Sequence, residues 1–257
     1  MRPLLCIART ELLEHRRQPW MIVILAANYA LFLGVFGALF LSLEGLSGSS
    51  QTLVQLERQL AALGVELPAF LRLAASSFGS LMFTNLPLYV AIMSGTSVLH
   101  DRECGTMPFL MLAPLTRRQL LAGKLCGAAA IPLALHLVFV GAGALVFSRL
   151  DVLAPYAAML GASPAWWIAY LIGAPAAAAF VGALGTVISA LSRDVRTSMQ
   201  FTSFFIGLLS LGFGAVLVDG VGQGPVLQLA FAGGCVVAAL LTLLLGARLI
   251  SADLTPS

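Results

Sequence analysis

The chain of 257 residues is 60% hydrophobic and only 10% charged, with a mean hydropathy of +0.98. A soluble globule of that length needs more polar surface, and a membrane β-barrel would alternate its apolar positions over roughly ten residues instead of running continuously. The net charge of +3 comes from Lys and Arg gathered between the apolar runs, a pattern that sets membrane orientation and calls for no nucleic-acid partner.

The expected fold is an all-α integral membrane protein, a single domain over residues 1–257. Residues 1–19 read as a helix lying in the membrane interface, with Leu4, Leu5, Ala8 and Leu12 on one side and Arg9, Glu14, Arg16 and Arg17 elsewhere. Pro19 is placed to end it, and Trp20 suits the headgroup level. Six charge-free apolar runs follow, at 20–43, 77–99, 125–147, 166–191, 199–218 and 226–247. At about 1.5 Å per residue each can cross roughly 30 Å of hydrocarbon. The first lacks a small-residue cleavage site and reads as a retained span.

Between the first two runs, residues 44–76 predict an external helical hairpin. Ser47 to Ser50 form a loop, Leu53, Leu56, Leu60 and Leu63 recur at helical spacing up to Gly64, and Pro68 opens a second short piece. Farther on, Ser163 caps a helix with Pro164 at its first position, and Trp166 and Trp167 sit at the interface. Gly173, Ala174, Gly182 and Gly185 allow close helix approach, while Pro87, Pro132 and Pro175 predict kinks.

Orientation follows from the basic residues. With the N-terminus inside, Arg2, Arg9, Arg16, Arg17, Arg102, Arg117, Arg118, Lys124, Arg193, Arg196 and Arg248 are cytoplasmic, 11 of the 14. Both termini then face the cytoplasm of a multi-pass protein in the cell (inner) membrane. Cys6, Cys104, Cys126 and Cys235 fall inside or within spans, so no external disulfide framework is implied.

The most polar stretch is HDRECGTMPFLMLAPLTRRQLLAGK, residues 100–124. Glu103, Gly105 and Thr106 precede a short apolar segment, Met107 to Ala113, which Pro114 prevents from continuing as a regular helix. Thr116-Arg117-Arg118-Gln119 then fits a capping box opening the helix of the third span. A broken helix pair at the cytoplasmic surface is expected, with Phe109, Leu110, Met111 and Leu112 in need of cover from a protein partner or the lipid bilayer.

These residues resemble the segment between spans two and three of the type-two ABC-exporter permeases, at Glu103, Gly105, Thr106, Leu110, Pro114, Thr116, Arg117, Gly123 and Lys124. Pro108 stands where the family commonly has an acid, and Cys104 where relatives are often basic. The start ARTELLEHRRQPW is similar to the family's amphipathic interface helix, and ISALSRDVRTSMQF to its turn between spans four and five. The resemblance implies a six-span half-transporter permease that pairs with a second copy of itself or a related permease. It also implies two copies of a separate ABC ATPase subunit, which carry the ATP and magnesium, this chain holding no cofactor. The implied coupling residues are Asp101, Arg102, Glu103, Gly105, Thr106, Phe109, Leu110, Pro114, Thr116, Arg117, Arg118 and Lys124. Arg9, Glu11, Arg16 and Arg17 of the interface helix join them, with Arg193, Asp194 and Arg196 of the second cytoplasmic turn. A competing reading is a subunit doing mechanical or lipid-handling work with a periplasmic protein.

Other chemistry finds little support. Gly123-Lys124 lacks the remaining glycine and the Ser or Thr of a phosphate loop, and no catalytic residue is singled out. His15, His100 and His136 are isolated, so no metal site is expected. An ion-coupled carrier would place ionisable groups deep in the bilayer, where only His136 stands, and it reads first as a neutral histidine bonded to a neighbouring helix. By the resemblance, spans one, two and five line the dimer interface. That makes Asn28, Thr84, Asn85, Gln200, Thr202 and Ser203 candidates for the cargo pathway, although hydrogen bonding between helices is the simpler use of each.

Overall fold

A computed structural model describes residues 2–16, 19–47, 50–112, 114–147, 163–207 and 225–253. The described residues contain helices and no strand. They are α1 (Arg2–Arg16), α2 (Pro19–Ser47), α3 (Ser50–Ala62), α4 (Leu67–Glu103), α5 (Met107–Leu112), α6 (Arg117–Phe147), α7 (Pro164–Leu191), α8 (195–207) and α9 (Pro225–Asp253). Among the described residues five helices are long and apolar enough to cross a bilayer: α2, α4, α6, α7 and α9. Of the run expected at 199–218, α8 covers the part up to 207, and the remainder lies outside the described residues.

The centre of the molecule is α4 against α7, the two most buried spans. Small residues allow that closeness. A Cβ on Gly185 would meet the Ala91 carbonyl at 3.0 Å, and one on Gly182 would press on Val90 and Leu125. Ser189 Oγ of α7 accepts hydrogen bonds from the backbone N–H groups of Val98 and Leu99, at 3.2 and 3.1 Å. On another side of α4, Ser198 Oγ of α8 donates to the Gly95 carbonyl at 2.5 Å. In hydrocarbon no hydrophobic effect drives helices together, so such close packing and buried polar contacts hold them.

Local signals govern the helix ends. Gly64, at φ +73°, stops α3, and Ser163 Oγ accepts from Trp166 N at 3.2 Å to open α7. Thr116 and Gln119 form the reciprocal capping box: Gln119 N donates to Thr116 Oγ1 at 3.3 Å, and Thr116 N donates to Gln119 Oε1 at 2.9 Å. Pro19 is the first residue of α2, three positions beyond Arg16, where α1 has ended.

The segment at 44–76 differs from expectation in one feature. The piece opened by Pro68 is not a separate short helix, because α4 runs unbroken for 37 residues from Leu67, through Pro87, to Glu103. Pro68 stands in the first turn, where its missing N–H is no loss, and nothing between it and the span interrupts the ladder.

In α7, Pro175 has a longer-range effect. Residues Ala169–Gly173 form a π turn, with Ala174 N bonded to the Ala169 carbonyl. In that wider register the Tyr170 carbonyl falls to Pro175, which has no N–H to give. His136 of α6 fills the place, its Nε2 lying 3.2 Å from Tyr170 O. Because a carbonyl only accepts, Nε2 carries the proton, and Nδ1 accepts from the Tyr29 hydroxyl of α2 at 3.2 Å. The deepest histidine thus joins three spans, with both nitrogens used.

Candidate functional site at the basic end

One end of the bundle gathers α1, α5, the last turn of α4, the first turns of α6 and the turn between α7 and α8. Its centre is Lys124. This side chain of α6 points inward, and its Nζ lies 2.7 Å from Glu11 Oε2 of α1, 2.7 Å from Asp101 Oδ2 of α4 and 2.9 Å from the Ser97 carbonyl. All three charged residues are buried, Lys124 to 1% exposure. Thr106 Oγ1 donates to Asp101 Oδ1 at 3.0 Å, so the start of α5 is tied to the same group. Two carboxylates share one ammonium, leaving the buried set one negative charge in excess when all are ionised. Burial accordingly pushes the Glu11 carboxyl above its ordinary range, with Lys124 pulling it part of the way back.

The backbone permits this convergence at two glycines. Gly105 takes φ +69°, the left-handed conformation that reverses the chain between α4 and α5. Gly127 lets α1 lie on α6, since a Cβ there would collide with the Glu11 side chain and meet the Ala8 carbonyl at 3.0 Å.

Neighbouring charges hold the next turn. Arg102 donates from Nη2 to the Ala190 carbonyl at 2.6 Å and from Nη1 to that of Ser192 at 3.2 Å, satisfying acceptors at the C-terminus of α7. Asp194 caps α8, accepting from Thr197 N and Thr197 Oγ1 at 2.7 Å each, contacts that hold its carboxyl below the usual range.

The residues expected at this end therefore divide. Glu11, Asp101, Lys124, Thr106, Arg102 and Asp194 are joined to other helices or to helix ends. Arg9, Glu103, Gly105, Pro114, Thr116, Arg118, Arg193 and Arg196 are exposed, with Leu110 and Arg117 part-buried. The side chains of Phe109, Arg16 and Arg17 lie outside the described ones. Leu112, at the end of α5, is 83% exposed. Between α1, α5 and α6 a groove of about 470 Å³ opens, with Glu11, Asp101, Thr106 and Lys124 beneath Cys6, Leu110 and Pro114.

The polar residues expected along the pathway are scattered. Thr84 Oγ1 donates to the Ser80 carbonyl of its own helix at 2.9 Å, Asn85 and Thr202 are buried, Asn28 is part-buried, and Gln200 and Ser203 are exposed. Thr202 sits against Gly95, where α8 meets α4. Sequence reasoning passed over Ser189, Ser198 and Tyr29, whose bonds to other helices follow no local motif, and Gln228, which is fully buried in α9.

No group of three or more metal-binding side chains occurs among the described residues. No curated protein matches the sequence. The family described as ABC-2 family transporter protein matches residues 5–228, from α1 into α9, and the chain belongs to that family as a multi-pass permease subunit of an ABC transporter.

Proposed function

We propose that this permease subunit is driven at its basic end, facing the cytoplasm, by two copies of a separate ATP-hydrolysing subunit that hold the ATP and magnesium. It works beside a second copy of itself or a related permease and moves an apolar or lipid-like cargo out of the cytoplasm. The observation that carries this reading is the Lys124 cluster. It binds α1, α4 and α6 together directly behind α5, whose exposed Leu112 offers an apolar foothold to a partner. A push on α5 passes through Thr106 to Asp101, and from Lys124 to α6 and α1. Arg102 extends the same connection from α4 to the end of α7. Buried ion clusters of this kind move as a unit, because separating their members leaves charges unpaired.

The docking half of the proposal is tested by Leu112→Asp in the purified complex. Since Leu112 is 83% exposed, the variant keeps its fold, while copurification of the ATPase subunit drops roughly fivefold or more, the loss that truncating one anchor brings. Undiminished copurification would move the docking face elsewhere. An ATPase that answers to a periplasmic protein and to no cargo would replace export with mechanical work.

A further inference from the structure

A second groove, of about 520 Å³, lies between α1, α2, α4 and α8 and also touches Glu11. Its body is apolar: Ile22 and Leu25 of α2, Ile92 and Met93 of α4, Ile131 of α6 and Met199 of α8. Two aromatic residues, Trp20 and Tyr89, join the lining, and Trp20 is 60% exposed. The polar border is one-sided. Glu11 and Glu14 come from α1, His100 and Glu103 from the last turns of α4, and among the described residues no Lys or Arg lines the groove. Glu11 is already matched by Lys124, whereas Glu14 and Glu103 have no ion-pair partner among the described residues.

We infer that this groove binds a membrane-soluble cation, a molecule with an apolar body and one ammonium, amine or phosphonium centre. Three features select that chemistry together. The aliphatic walls remove an apolar body from water, at about 25 cal/mol per Å² buried. Trp20 and Tyr89 line the groove, and a cation placed over the face of such a ring is attracted to it. The two carboxylates without an ion-pair partner among the described residues favour a positive centre at the border and repel an anion of the same shape. A neutral lipid tail would use only the first feature and leave the acids idle. As a binding site the inference stands alone; as a cargo site it rests on the transport reading above.

The test uses the full chain in nanodiscs of zwitterionic lipid, without ATPase, and two probes of matched shape and opposite charge, tetraphenylphosphonium and tetraphenylborate. Binding is read by equilibrium dialysis against empty nanodiscs. Above the empty-disc level the phosphonium binds saturably and the borate does not. The double variant Glu14→Gln with Glu103→Gln weakens the phosphonium roughly tenfold, as expected for two partly exposed charges. Met93→Trp, which fills the groove and leaves both acids in place, also abolishes saturable binding. Equal binding of the two ions, or phosphonium binding indifferent to the double variant, overturns the site. An assembled complex that exports another compound while its permease binds no phosphonium likewise removes the site and leaves the transport reading intact. Phosphonium bound by the permease yet never moved by the complex removes only the cargo role.

Discussion

Lys124 is the one cation among three buried charges, and that arithmetic makes the members unequal. Lys124→Met leaves two buried carboxylates facing each other and should cost about 3–5 kcal/mol of stability. Glu11→Gln keeps an oxygen for Lys124 Nζ and a balanced pair with Asp101, so its effect should be much smaller. Unfolding in detergent, followed by tryptophan fluorescence, ranks the two; equal losses would contradict the shared-ammonium geometry. The direction of the Glu11 shift adds a pH signature. A carboxyl whose folded value is raised binds a proton more readily folded than unfolded, so its stabilising effect is full below the ordinary glutamate range and fades as pH rises through the raised value. Subtracting the Glu11→Gln curve from the wild-type curve should reveal that decline on the alkaline side of pH 4.5, and a difference rising with pH would contradict it. His136 invites a different expectation. His136→Leu strands the Tyr170 carbonyl and the Tyr29 hydroxyl, for a loss of about 1–3 kcal/mol, whereas a proton-relay role would show as lost transport in a fully stable variant.

Helices meet here through glycines and hydroxyls, and that is where a methyl group should tell. At Gly127, Ala would force α1 away from α6 by displacing Glu11 and crowding the Ala8 carbonyl. The expected cost is about 1–3 kcal/mol, with faster proteolysis within α1 as the local readout. Unchanged cleavage there would mean that α1 is held by something other than this contact. Much at this scale was legible in the sequence. The Thr116–Gln119 box, the Ser163 cap and the Gly64 stop follow from residues within a few positions of one another. The unbroken α4 was less so, because Pro68 marks the first turn of a helix without saying how far that helix continues. That His136 bonds to a neighbouring helix was legible, whereas which residues partner it, and those that partner Lys124, were not. Glu11 is 113 positions from Lys124, and the Tyr170 carbonyl becomes available only through a π turn made by Pro175 in another span. Glu11, Asp101 and Lys124 were picked out by their segments as surface contacts, and burial gives them internal partners instead.

At the scale of the whole molecule, apolar runs foretell a multi-pass bundle, yet they say nothing of which spans are central. That depends on where small residues face each other, and it puts α4 and α7 inside with α2, α6 and α9 around them. The basic end is joined by charges: the buried Glu11, Asp101 and Lys124 tie α1, α4 and α6 together, and the part-buried Arg102 ties α4 to the end of α7. The central claim is that these charges carry movement from α5 into the spans. Its most direct test places spin labels at Leu73 of α4 and Val146 of α6, both exposed and far from α5, and follows their separation in the assembled complex as ATP binds. The wild-type distance should change. With Glu11→Gln, Asp101→Asn and Lys124→Met combined, hydrolysis should persist while the distance stays fixed; an unchanged response to ATP in that neutral variant would contradict the account.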